Sequence, residues 1–128
     1  MTFHAGQAFL YPLNDDNESE HLWIIATEPN NEGLVAIASL TSLRGAKDQT
    51  VILHKGEHPF ITHDTCVSYI QAEITSVEKL EVRLQCGRAK LHDVDAAPTL
   101  LKDILAGFSG SPHTKNRIRD FVREARAK

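Results

Sequence analysis

The segment His54-Lys55-Gly56-Glu57-His58-Pro59-Phe60-Ile61-Thr62-His63-Asp64-Thr65 holds three of the chain's seven histidines, with two carboxylates and a lysine. Imidazole titrates near neutrality and can both take and return a proton, so His58 and His63 can serve as base and acid. The adjacent Asp64 can orient an imidazole, as carboxylates do in hydrolytic triads. The competing reading is that Pro59 and Phe60 fix a turn and the histidines are hydrogen-bonding loop residues. His54, His58, His63 and Asp64 are also zinc-type ligands. Their spacing matches no standard pattern, because His-x3-His puts two ligands on one face only in a helix, and Gly56 and Pro59 oppose a helix here. No metal or cofactor is therefore expected. Cys66 and Cys86 lack a CxxC spacing and read as reduced thiols without a nucleophile's signature. The chain contains neither a P-loop nor a GxGxxG motif, which disfavours nucleotide-driven chemistry.

The elements that would position this loop follow from patterning. Gln7 to Tyr11, His21 to Thr27 and Leu34 to Leu40 are rich in apolar, β-branched and aromatic residues and are separated by polar or turn-forming stretches, which predicts three strands. Thr50 to Leu53 and Val67 to Ile74 add two more. Five short, closely spaced strands predict a small barrel over about residues 6–74. From 76 to 126 helices are expected: a short one near Val77 to Gln85 capped by Ser76, one capped by Asp95 and ended by Gly107, and one capped by Ser111 with Pro112 first. Leu100, Leu101, Ile104, Leu105 and Phe108 share one face of the second of these helices; Ile118, Phe121, Val122 and Ala125 share one face of the third.

With 128 residues, 41% of them hydrophobic, the chain is expected to form a single α+β domain, residues 1–128, around one core. The apolar run Leu34 to Ala38 is far short of the roughly 20 residues that cross a bilayer. The opening Met1-Thr2-Phe3-His4 has no secretory pattern, so a cytoplasmic location is expected. Net charge is −3, unevenly spread. Residues 1–43 hold six acids and no Lys or Arg, whereas six basic residues lie beyond His113, a patch able to hold an anionic partner or simply a solvated helix face.

Three segments together resemble the PemK/MazF-like toxins: Gly6-Gln7-Ala8-Phe9-Leu10, the paired strands His21 to Thr27 and Leu34 to Ser42, and the loop Gly56 to Asp64 followed by Tyr69. The resemblance spans about residues 6–74. It implies an SH3-like barrel and a metal-independent endoribonuclease of a toxin-antitoxin pair, with RNA as substrate, an antitoxin as protein partner and a homodimer as assembly. In that family the RNA 2′-hydroxyl attacks the adjacent phosphate, which needs a base, an acid and a positive group. The family's hydroxyl residue maps to Thr41 or Ser42. The arginine implied for the loop before the second strand has no counterpart; Asp15, Asp16, Glu18 and Glu20 stand there instead and would repel RNA. The expected site is therefore a displaced one: His58, His63, Asp64 and Thr41 for catalysis, Arg44, Lys47 and Lys55 on phosphate, and Tyr69 either stacked on a base or part of the core. A non-catalytic binding module, using an apolar groove and the basic C-terminal helix, is the alternative.

Overall fold

A computed structural model describes residues 2–12 and 20–127. Six strands make one antiparallel sheet: β1 (Ala8–Pro12), β2 (Glu20–Ile25), β3 (Leu34–Ser42), β4 (Ile52–Leu53), β5 (Thr65–Ser76) and β6 (Lys90–Leu91), in the order β4-β5-β3-β2-β1-β6. Helix α1 (Val77–Gln85) follows β5, and α2 (Pro98–Gly110) and α3 (Asn116–Arg126) complete the chain. The architecture is α+β. The acidic stretch from Asp15 to Glu18 lies outside the described residues.

The sheet is open where a closed barrel was expected, because its outer strands β4 and β6 do not pair with each other. Helices do the covering that closure would have done. Side chains alternate across a strand, so Phe9, Trp23, Ile25, Val35 and Ile37 pack on one face against Phe3, Leu80 of α1 and Ala89. Ala8, Leu22, Ile24, Ala36, Ala38 and Leu40 pack on the other face against Leu100, Ile104 and Phe108 of α2 and Ile118 and Val122 of α3. With both faces buried, β3 reads as a continuous apolar run rather than an alternating one.

The strand β5 changes register sharply. Between the pairs Ile37↔Glu73 and Ser39↔Ser68, the single residue Ala38 of β3 faces Tyr69 to Ala72 of β5. Such a bulge bends its strand and re-aims side chains. Here Tyr69 is fully buried, while Ile70 is turned out and 48% exposed.

The first helix begins as expected, with Ser76 Oγ accepting a hydrogen bond from Lys79 N at 3.1 Å. Three other boundary expectations are corrected. Asp95 does not cap α2; Ala97 holds that position without a side-chain bond, and Asp95 instead pairs with His4 Nε2 at 2.7 Å. Gly107 does not end α2, which runs on to Gly110. Gly107 is the point of closest approach to β5, where an added Cβ would collide with the Tyr69 ring. Ser111 lies at the C-terminal end of α2 rather than starting α3, and Pro112 precedes α3 altogether, because the Ser111 hydroxyl is committed to Asp48 at 2.6 Å.

Candidate functional site

The loop histidines do not assemble into an acid–base pair. His58 is buried, and both of its ring nitrogens are taken: Nε2–H donates to the Val94 carbonyl at 2.7 Å, and Nδ1 accepts from Phe60 N at 3.1 Å. A carbonyl only accepts, so these two bonds specify the neutral Nε2–H tautomer. The His58 ring also packs at 4.8 Å from that of His92. His58 thus fastens the 54–64 loop to the 92–94 segment. His63 is exposed, with Nδ1 at 3.3 Å from Thr62 Oγ1. Asp64 pairs with His54 Nδ1 at 3.0 Å, with both side chains well exposed, and so does not orient His63. Among the described residues, no three His, Cys, Asp or Glu side chains cluster as metal ligands.

Tyr69 is corrected from a base-stacking residue to a core residue. It is fully buried, its hydroxyl donates to the Ile104 carbonyl at 2.8 Å, and its ring meets Phe108 edge-on at 5.0 Å. Burial first, with the negative charges of Asp48 and Asp103 second, pushes its phenol far above the ordinary value. No ring face is left for a nucleobase.

Thr41 and Lys47, by contrast, come together. They line a half-open cleft of about 410 Å³ with Asp48, Ser68, Ile70 and His113. Arg44 and Lys55 are exposed and are not among the residues lining it. Register places Thr41 at the end of β3 opposite Cys66 of β5. The loop after β3 turns at Gly45, whose φ of +78° suits glycine, and returns through Asp48. This carboxylate accepts from Ser111 Oγ at 2.6 Å and Thr50 N at 3.1 Å. Ser111 Oγ in turn accepts from His113 N at 3.1 Å, so one buried network sets His113 beside the loop that carries Lys47.

Burial pushes the Asp48 carboxyl up, but the bonds from Ser111 and Thr50 and the nearby His113 outweigh it and hold it below the usual carboxylate value. Asp48 is therefore an anion at neutral pH and cannot act as an acid there. Burial, then the charge of Asp48, pushes the Cys66 thiol up, which keeps it protonated and unreactive.

Asp48 and His113 were absent from the sequence-based set. Their one local signal was Ser111-Pro112, which resembles a helix start; the contact that matters spans 63 residues of chain. No helix among the described residues is long and apolar enough to cross a membrane. No protein-family model, no curated protein and no solved structure matches the chain.

Proposed function

We propose that this protein acts on single-stranded RNA as a toxin-like endoribonuclease that needs no metal, with the Thr41 cleft as its site. The observation that carries this reading is the meeting of Thr41 and Lys47 with His113 in one cleft. His113 takes the proton from the 2′-hydroxyl as that oxygen bonds to phosphorus. The bond from phosphorus to the 5′-oxygen breaks, and the departing oxygen takes a proton from water. Lys47 offsets the charge on the phosphorane, and the Thr41 hydroxyl donates to one of its oxygens. Asp48, through Ser111 Oγ and the His113 amide, holds His113 beside the cleft.

An antitoxin partner, a homodimer and a cytoplasmic location belong to this reading through the resemblance and the sequence alone. Kinship with the SH3-like barrel belongs to it as well, supported by the antiparallel run β1-β2-β3 to which β5 is added.

A specific observation favours the second reading, a non-catalytic binding module. Lys115, Arg117, Arg123 and Arg126 are exposed along α3. Arg119 is not part of that surface, because it donates to the carbonyls of Phe108, Ser111 and Thr114.

Incubating the protein with mixed single-stranded RNA, with and without chelator, separates the two. Chelator-resistant cleavage that falls about 100-fold or more in His113→Ala, as loss of a general base does, and persists in His63→Ala is the expected result. No cleavage, together with RNA binding lost in Arg117→Glu/Arg123→Glu, would replace the nuclease with the binding module.

A further inference from the structure

On the α1 side of the sheet the Tyr11 hydroxyl, His21 Nε2 and Arg83 Nη1 make no hydrogen bond among the described residues, as is also true of Ser39 Oγ and Thr75 Oγ1 on that face. Backbone pairing makes the first two neighbours. Tyr11 and His21 are directly opposite in the β1·β2 register and therefore share a face. The β2·β3 register, Trp23↔Ser39, continued by two places, sets His21 opposite Thr41. Tyr11, His21 and Thr41 are then one row of half-buried polar side chains, with Tyr11 about 10 Å from Thr41 at the usual strand spacing.

Helix α1 brings the charge. The Arg83 guanidinium lies over the Tyr11 ring at 4.6 Å from its centroid, and Arg88 approaches the same ring at 5.7 Å. A stacked guanidinium keeps its N–H edge for oxygen acceptors, the geometry suited to phosphate. The Glu73 carboxylate lies 3.8 Å from Arg83 Nη2, an ion pair too long for a hydrogen bond, and Nη1 is buried without an acceptor among the described residues, so a ligand meets the guanidinium at the 22% of the side chain that is exposed. His21 is held in place by Nδ1–H donating to the Leu40 carbonyl at 3.0 Å, which leaves Nε2 as the working nitrogen and, once protonated, as a further donor.

We infer that Arg83, Tyr11 and His21 form a phosphate-binding site, occupied by the terminal phosphodiester of a nucleic-acid strand that runs from here across the sheet toward Thr41, away from the acidic residues between β1 and β2 that would repel a strand continuing past them. Assigning the phosphate to RNA rests on the reading above; the phosphate site itself does not.

The test uses the full chain and its single tryptophan. Trp23 donates its indole N–H to the Tyr11 carbonyl at 3.1 Å, so its emission reports on the site. Inorganic phosphate and, separately, a short oligodeoxycytidylate, which has no 2′-hydroxyl and cannot be cut, are titrated by emission and calorimetry. Both should bind saturably and compete. Arg83→Gln should weaken each at least tenfold, and Tyr11→Phe, which removes only the hydroxyl, several-fold. Binding of neither ligand, or phosphate binding unchanged in both variants, overturns the site. Phosphate that binds and responds to Arg83→Gln while the oligonucleotide does not bind upholds the phosphate site and removes RNA as its ligand. Both ligands bound without any RNA cleavage uphold the site and remove only the nuclease.

Discussion

His58 and His63, five residues apart in one loop, differ in what their nitrogens touch. His58 satisfies a carbonyl and an amide that would otherwise be buried unpaired, and His63 satisfies nothing that water could not. Leaving a buried donor or acceptor unsatisfied costs about 1–3 kcal/mol. His58→Ala should therefore lower unfolding free energy by at least about 2 kcal/mol, since it strips two such groups and leaves a void, whereas His63→Ala should stay within about 0.5 kcal/mol of the parent. Urea denaturation of the two variants checks this. Equal stabilities would mean that His58 does not hold the loop, and its place in the acid–base set would reopen.

Element by element, α2 shows how a glycine can serve packing rather than chain reversal. In an exposed helix interior, Gly→Ala gains about 1 kcal/mol through helix propensity. At Gly107 the added Cβ would strike the hydroxyl and ring of Tyr69 and lie 2.6 Å from Val51 Cγ2. Tyr69 cannot yield, since its hydroxyl is bonded to the Ile104 carbonyl of the same helix and its ring is packed on Phe108. Overpacking of this kind costs about 1–3 kcal/mol or more. Gly107→Ala is expected to lower the thermal midpoint, opposite in sign to the propensity effect; a raised midpoint would show that α2 does not sit this close to β5.

For the whole molecule, the Asp48–Ser111 bond ties the loop after β3 to the α2–α3 connection and so holds the two sides of the Thr41 cleft together. Asp48 has a folded-state pKa below its unfolded value. Its contribution to stability is thus fully present above the ordinary Asp value of about 3.9 and is lost as pH falls through the lower folded value. Asp48→Asn should cost about 1–3 kcal/mol at pH 7 and flatten the fall in stability as pH drops below the ordinary Asp value of about 3.9. Acid titrations followed by circular dichroism would show it, and parallel acid profiles for parent and variant would exclude Asp48 as the source. If the cleft is the catalytic site, the same variant should also lose RNA cleavage more than it loses fold.

Local pattern was enough to place β1, β2, β3, β5 and α1 within a few residues and to name the apolar faces of α2 and α3, because burial periodicity and a Ser76 cap act over neighbouring residues. Thr41 and Lys47 were named through the family resemblance rather than by local pattern, and only the fold brings them to one cleft. Barrel closure was not decided locally, since an apolar strand reads alike whether its second face meets another strand or a helix; α1 covering Trp23 and Ile37 settled it. Nor could spacing tell a working histidine from a structural one. That depended on Val94 and Phe60 taking both nitrogens of His58, on Asp48 meeting Ser111 across 63 residues, and on β1–β2 register setting Tyr11 against His21, all contacts that exist only once distant segments are packed.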